Sequence, residues 1–389
     1  MFIKRIFKKE KRLEKSKRSD PVPAANDTAN DTAPAANDTA NDTVPAANDT
    51  AYDTAGDTAI DTAYDPASDT AIDTANEPTM PIYEYIKTNT QDGRLPDAFR
   101  IPWQQSVWAP GSHDGVLLNH MVPLEADPNR EKEILDALKL MSSEQYGDYA
   151  DQIMATFEAL DNEFGIVRLC SEIDLIIINH RQDLNYLNML NFSDWILCYG
   201  ISLLAIKLAL TIMCVYPEPF VEEVMMEMGV YDEFTYYSVR ALGQQFWLNG
   251  NDEIFTLAKS VSGWGRIHAV EWVEPTTLEI QDWLLYEGAD NTVHGQYSAN
   301  ICLVKAGAEK RLDGPLSAKE YEAIGKLICA SLESGPCRGV TRGDYLLPKY
   351  IGKAKDFQTD HYTIKLILQA ADEYGLNEET IELANQLIK

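Results

Sequence analysis

The chain has 389 residues, six cysteines and a formal net charge of −28, which is distributed unevenly. Residues 1–20 carry +6 and residues 21–80 carry −12, so the rest carries −22. Such an acidic body repels phosphates, which excludes DNA and RNA as partners and favours a protein partner, a basic one by charge. The cysteines form no CxxC pair, which favours a reducing, cytoplasmic compartment over secretion.

The first 20 residues are predicted to be a basic tail. The opening MFIKRIF is too short for the apolar core of a signal peptide, and basic residues follow at once. Residues 1–18 could form a short basic helix with four large apolar side chains on one side. Such a segment could lie on an anionic membrane surface, so a peripheral position at the inner membrane surface is one alternative. A solvated basic tail is the simpler interpretation.

Residues 21–80 are predicted to be a disordered, low-complexity spacer. They repeat four-residue units such as ANDT, AYDT, AGDT and AIDT, with almost no large apolar residue. Ordering such a segment would not recover its conformational entropy.

Residues 81–130 are predicted to form an irregular strap against the body. The segment is rich in proline, glycine and aromatic residues, and PIYEYIK alone predicts a helical turn. We expect Trp103 and Trp108 to be packed anchors.

The strap also holds a cluster that resembles a metal or catalytic site. His113, Asp114 and His120 could together hold a divalent ion or transfer protons. The seven-residue spacing of the histidines is not the i, i+4 spacing that places two ligands on one helical face, so no metal site is predicted. Hydrogen bonds within a loop are the simpler role, and the three residues remain catalytic candidates.

Residues 131–389 are predicted to form a helical-repeat domain. EKEILDALKLM places Ile134, Leu135, Leu138 and Met141 on one face of a helix. The next helix is predicted to end at Gly165, after apolar residues at Tyr149, Ile153, Phe157 and Leu160. Helices of this length joined by short turns predict an all-α fold, an antiparallel array of helix pairs.

The stretch 195–216 (WILCYGISLLAIKLALTIMCVY) is long enough to span a bilayer. The cost of burying its one charged residue, Lys207, in a bilayer offsets much of the favourable insertion free energy of its apolar residues. Acidic residues flank the stretch at both ends. Gly200, Lys207 and Thr211 also fall within a narrow arc. We therefore favour a helix that is buried within the stack, with membrane insertion as the alternative.

Capping signals mark two helix starts near the C-terminus. Thr276 as N-cap with Glu279 at N3 predicts a capping box, with Leu278, Trp283 and Leu284 facing inward and Gly288 ending the helix. Asn377 is predicted to cap the last helix, after a break at Gly375 and Leu376.

Two further segments are candidate binding sites. Residues 263–268 (GWGRIH) predict a tight turn with Trp264 packed beside it, or a helix N-terminus where Arg266 and His268 bind an anion. The loop 335–355 is predicted to be solvated or to bind an acidic peptide or phosphate through its basic residues, among them Arg338 and Arg342. No cofactor motif is recognisable, so no cofactor is expected.

The segment GWGRIHAVEWVEPTTLEIQDWLLYEGADN (263–291) resembles a family of uncharacterised bacterial helical-repeat proteins. PIYEYIKTNTQDGRLPDAF and WAPGSHDG are similar to that family's N-terminal region. The resemblance would cover residues 81–389, implies a HEAT-like superhelix and brings no catalytic residues. Some relatives bear a monooxygenase name, limonene hydroxylase, but no flavin, haem or iron motif is found here to support that reaction.

Three functional hypotheses follow. The leading one is a non-enzymatic helical-repeat scaffold that binds a protein partner, because the chain shows no coherent catalytic set. The second is an enzyme, a hydrolase or a monooxygenase, with a site between strap and stack that uses His113, Asp114, His120, Arg266 and His268. The third is a protein that associates peripherally with a membrane through residues 1–18.

Overall fold

A computed structural model describes residues 78, 80–104, 106–244, 250–335 and 337–389 of the chain. The predicted tail and spacer, residues 1–80, lie almost wholly outside the described residues. Within the described residues the fold is all-helical, with eighteen helices and no strand. The prediction of an all-α protein is therefore confirmed for this part of the chain.

The N-terminal half contains nine helices. In chain order they are α1 (Ile82–Asn89), α2 (Ser112–His120), α3 (Pro128–Met141), α4 (Ala150–Phe164), α5 (Ile166–Asn179), α6 (Tyr186–Tyr199), α7 (Leu203–Cys214), α8 (Pro219–Met228) and α9 (Thr235–Leu242). The nine that follow are α10 (Gly250–Ser260), α11 (Trp264–Trp272), α12 (Leu278–Tyr286), α13 (Gln296–Lys305), α14 (Ala308–Asp313), α15 (Ala318–Leu332), α16 (Gly343–Lys353), α17 (His361–Gln369) and α18 (Glu378–Leu387).

Alternate helices pack against one another along the chain. Each of α3, α5, α7, α9, α11, α13, α15 and α17 contacts the next member of that series. The intervening helices lie beside this row: α6 contacts α7, α10 contacts both α9 and α11, and α12 contacts α13 and α15. The short helix α1 packs on α6 and α8, and α2 packs on α5. The series of contacts between alternate helices accounts for the continuous apolar core.

Local sequence signals set many of the helix ends. The Asn377 side chain accepts a hydrogen bond from the Thr380 amide at 2.8 Å, as the sequence predicts. Gly165 ends α4 with φ of 78°, a value that glycine adopts readily. Ile153 and Phe157 are fully buried on α4, whereas Tyr149 is exposed.

The segment 195–216 is not one helix. It breaks at Gly200 into the end of α6 and α7, so Gly200 does not share a helix with Lys207. All ten residues from Ala205 to Cys214 are buried, which confirms the predicted burial for α7. Within the described residues, no helix combines the length and the apolarity needed to cross a bilayer.

Two predictions for the N-terminal strap are wrong. Helix α2 lies inside the segment that was expected to be irregular; it starts at Gly111 in the left-handed conformation and has almost no amphipathic pattern to reveal it. Trp108 is 73% exposed and is not an anchor. Trp103, by contrast, is half-buried, contacts the Tyr85 ring edge-on at 5.2 Å and donates to the Ile201 carbonyl at 3.2 Å.

The capping residue of α12 lies one position later than predicted. Thr277, not Thr276, accepts the hydrogen bond from the Ile280 amide. Thr276 instead accepts a hydrogen bond from the Asn251 side chain at 3.0 Å. The shift turns Leu278 outward, where it is 74% exposed, although Leu284 is buried as predicted.

The segment 335–355 is not a loop throughout, because α16 occupies Gly343–Lys353. Leu346, Leu347, Tyr350 and Ile351 fall on one helical face and are buried, and their burial outweighs the presence of Pro348 inside the helix.

Candidate functional site

A buried ion cluster fastens the first turn of α2 to the helical body. The Lys207 ammonium on α7 lies 2.8 Å from Asp114 Oδ2 and 2.6 Å from Glu233 Oε1. Asp114 lies on α2, and Glu233 lies in the turn between α8 and α9. Asp114 and Lys207 are almost wholly inaccessible to solvent. Three chain segments that are distant in sequence therefore meet at one ammonium group.

The carboxylates of the cluster have further partners. The Tyr237 hydroxyl donates to Asp114 Oδ2 at 2.9 Å, and the Gly111 amide donates to Glu233 Oε2 at 2.6 Å. His113 Nδ1 lies 3.6 Å from Asp114 Oδ1, with its side chain mostly exposed. Because each buried charge has partners, the cost of removing it from water is compensated.

The electrostatics fix the protonation states of the cluster. Burial opposes the charge on Asp114, but the neighbouring Lys207 outweighs it and lowers the pKa of Asp114 to about 2. Burial likewise opposes the charge on Lys207, but Asp114 and Glu233 raise its pKa above the ordinary value. The hydrogen bond to Asp114 raises the pKa of His113.

These values bear on what the cluster can do chemically. A general acid or base works best with a pKa near the ambient pH, and a nucleophilic lysine needs a lowered pKa. Asp114 stays a carboxylate and Lys207 stays an ammonium at neutral pH. The arrangement is suited to holding α2 in place.

The GWGRIH turn lies directly against α2. Gly115 faces the Trp264 ring so closely that a Cβ atom there would lie 2.1 Å from a ring carbon. The Asp232 carboxylate accepts hydrogen bonds from the amides of Gly263 (3.0 Å) and Gly265 (2.8 Å). The first interpretation of this motif, a tight turn with Trp264 packed beside it, describes the observed geometry.

The two candidate histidines His120 and His268 flank Trp264 in a row of aromatic rings. His120 Nε2 lies 2.7 Å from the Tyr297 hydroxyl, and the Tyr297 ring lies 4.9 Å from that of Trp264. On the other side His268 is 1% exposed, and its ring lies 5.2 Å from Tyr236. Neither ring nitrogen of His268 has a hydrogen-bond partner among the described residues.

Arg266 points away from this junction. Its guanidinium donates to the carbonyls of Val261 and Asp290, both at 2.9 Å, and lies over the Trp283 ring. The structure thus brings His113, Asp114, His120, Trp264 and His268 into one connected region, and leaves Arg266 outside it.

Arg338 and Arg342 lie outside that region, and each pairs with a different carboxylate. Arg338 pairs with Glu373 at 2.6 Å, and Arg342 pairs with Glu309 at 3.0 Å. Lys349, on the same segment, pairs with Asp313. Each of these three basic groups is met by a carboxylate of the chain itself, so an anion bound by them would have to displace these pairs.

Sequence reasoning missed a second buried ion pair. Arg240 on α9 donates to Asp174 on α5, and Asp174 Oδ1 has no further partner in the described part of the chain. Burial outweighs the effect of Arg240 and raises the pKa of Asp174 to about 6. Asp174 and Arg240 each stand out in the sequence as a charged residue within an apolar helix. Their pairing could not be predicted, because it depends on tertiary contacts.

One exposed helical surface was also missed, which we call the α6 face: Leu187, Asn191, Trp195 and Tyr199, spaced four residues apart, with Tyr186 beside them. Tyr199 is 60% exposed and Trp195 is 44% exposed. The only charged residue of α6, Asp194, is buried.

Acidic residues border the α6 face. Asn188 donates to the Ser142 carbonyl at 2.9 Å, which brings the α3–α4 loop, with exposed Glu144 and Asp148, beside α6. Asp183 lies just before α6, with its carboxylate 3.6 Å from His180 Nδ1. The face is thus apolar and aromatic, and carboxylates lie on the segments next to α6.

No group of three or more metal-ligating side chains gathers anywhere in the described ranges. No protein-family model, curated protein or solved structure matches the chain significantly. The resemblance of residues 263–291 to bacterial helical-repeat proteins therefore stays a prediction.

Proposed function

We propose that the protein is a non-enzymatic scaffold that binds a protein partner through the α6 face. The observation that carries this proposal is an exposed helix surface with aromatic side chains and no charge, in a chain of net charge −28. Exposed aromatic patches with polar surroundings are typical of interaction sites.

The surroundings of the face indicate the chemistry of the partner. Trp195 and Tyr199 offer amphipathic rings of the kind that dominate binding energy at interfaces. Glu144, Asp148 and Asp183 would attract lysine or arginine at the periphery. The partner that fits is a segment with aromatic or aliphatic anchors flanked by basic residues.

The scaffold proposal includes the HEAT-like form of the fold. Continuous contact between alternate helices is the pattern expected of stacked helix pairs. In such an array a helix outside the central row, as α6 is, presents one side to partners.

Peptide display on the immobilised full-length chain tests the proposal. We expect selected peptides to combine aromatic or leucine anchors with lysine or arginine, and to lose binding to the double variant Trp195→Ser/Tyr199→Ser. The control is Leu278→Ser, which removes a still more exposed apolar residue, on α12.

Two results would refute the proposal. One is a set of acidic peptides, or of peptides that bind the double variant as well as the native chain. The other is a stable dimer in sedimentation velocity that Trp195→Ser/Tyr199→Ser dissociates, because the face would then be covered by a second copy.

A further inference from the structure

A second surface is an apolar groove of about 430 Å³ between α5 and the end of α2. Leu117, Leu118, Met121, Leu124 and Leu175 supply most of its apolar lining. Its volume lies within the range of small-molecule sites, roughly 300–1,000 Å³. Leu175 and Met121 are more than half exposed, so the groove is open to solvent.

One cation at this groove is not paired with a carboxylate of any described residue. Arg168 donates to the Val122 carbonyl, and no described carboxylate lies within 4.0 Å of its guanidinium. The other arginine of the lining, Arg130, is paired with Glu172 at 2.9 Å and also donates to the Glu125 carbonyl. Glu172 is thereby neutralised, which leaves Arg168 as the cation available to a ligand.

Arg168 lies in the first turn of α5, and Ser171, one turn on, offers a hydroxyl within the same lining. The Ile166 amide at this helix N-terminus already donates to Asp161 Oδ1 at 2.8 Å, so the helix end is not the anion site. A bound carboxylate would pair with the guanidinium of Arg168.

We infer that the groove binds an amphipathic carboxylate, a molecule with a medium-length hydrocarbon chain and one acid group. The hydrocarbon chain contacts the leucine and methionine side chains, and the carboxylate pairs with Arg168. The inference is independent of the scaffold proposal, because it concerns a different surface and a different class of ligand.

The net charge of the protein makes the test discriminating. A chain of net charge −28 attracts cationic amphiphiles and repels anionic ones unless a specific site reverses the order. The full-length protein is titrated with a dansyl-labelled undecanoate, and the probe is displaced with dodecanoate, dodecanol or dodecyltrimethylammonium below their micelle concentrations.

We expect dodecanoate to displace the probe at the lowest concentration. Arg168→Gln should weaken dodecanoate about tenfold and leave dodecanol unchanged, because only the charge-assisted hydrogen bonds are lost. Arg168→Lys should keep most of the affinity. Leu175→Trp should abolish binding of all three by filling the groove.

The matched control is Ile178→Trp, on the same helix, with a similar exposure and outside the lining. Tighter binding of dodecyltrimethylammonium than of dodecanoate would overturn the inference. So would an unchanged dodecanoate affinity in Arg168→Gln, or equal effects of the two tryptophan variants. Thermal unfolding of each variant verifies that it is folded. If Arg168→Gln does not fold, the results for Arg168→Lys and Leu175→Trp still decide the test.

Discussion

Replacing Lys207 by methionine should destabilise the protein in a pH-dependent way. The change keeps the length and apolar stem of the side chain and removes the charge that binds Asp114 and Glu233. Removal of one partner from a buried ion pair costs about 3–5 kcal/mol, because the other charge stays buried without compensation.

Protonation of Asp114 can relieve part of that cost. Asp114 is 2% exposed, so in the variant it avoids an unpaired charge by taking up a proton. Protonating a carboxyl whose ordinary pKa is 3.8 requires about 4 kcal/mol at about pH 7 and about 2 kcal/mol at about pH 5. The loss of stability should therefore be roughly halved at the lower pH.

The slope of stability against pH should also change sign. In the native chain the pKa of Asp114 is lowered to about 2, so its contribution is present above pH 3.8 and is lost as the pH falls through 2. In Lys207→Met the folded pKa lies above 3.8, so the free energy of unfolding falls as the pH rises from about 4 to 7.

Urea unfolding followed by circular dichroism at about pH 5 and about pH 7 measures both effects. The control, Lys132→Met, removes an exposed lysine that pairs with Asp136 and should cost far less stability than Lys207→Met at either pH. Adding Asp114→Asn to Lys207→Met should restore part of the stability. A loss that is equal at the two pH values, or no larger than that of the control, would refute the reasoning.

Three further predictions concern separate features. Burial and the neighbouring Glu222 carboxyl raise the pKa of Glu253 to about 8, so stability should fall as the pH rises from about 4.5 to 8. Glu253→Gln should therefore raise the melting temperature at about pH 8 and change it little at about pH 4. Gly115→Ala should cost roughly 1–3 kcal/mol of unfolding free energy through overlap with the Trp264 ring. Asn377→Ala should cost about 1 kcal/mol by removing the cap of α18.

Each of these changes has a control in the same chain. Glu279→Gln removes an exposed carboxylate on α12, and it should leave the melting temperature unchanged across that pH range. Gly147→Ala adds a methyl group where no atom lies within 4 Å. Asn385→Ala removes an exposed asparagine from the interior of α18. If a control variant changed stability as much as the variant it is paired with, the specific contact would not be the cause of the change.

The helices that the sequence predicted well are those in which local and tertiary preferences agree. In α4 the apolar residues Ile153 and Phe157 recur at helical spacing, and Gly165 ends the helix. In α2 the only strong local signal is Gly115, which usually weakens a helix. The glycine is required there by the closeness of Trp264, a contact about 150 residues away in sequence that periodicity could not reveal.

The candidate site was likewise predicted only in part. The sequence identified His113 and Asp114 as candidate catalytic residues and Lys207 as a charge inside an apolar stretch. It could not predict that Asp114 and Lys207 pair, because that contact requires α2, α7 and the α8–α9 turn to meet in space. A sequence pattern that suggested a metal or catalytic cluster is, in the folded chain, part of an ion cluster with Lys207 at its centre.

The distribution of charge explains why the surfaces of α5 and α6 are the informative ones. A chain with 61 acidic residues maintains its solubility by exposing carboxylates, so a helix face without any charge reduces solubility. The α6 face has no buried network to account for its aromatic residues, since Tyr199 is mostly exposed. Acidic residues outnumber basic ones nearly twofold, yet within the described residues no carboxylate lies within 4.0 Å of Arg168 beside the α5 groove. The two proposed binding roles would account for both arrangements.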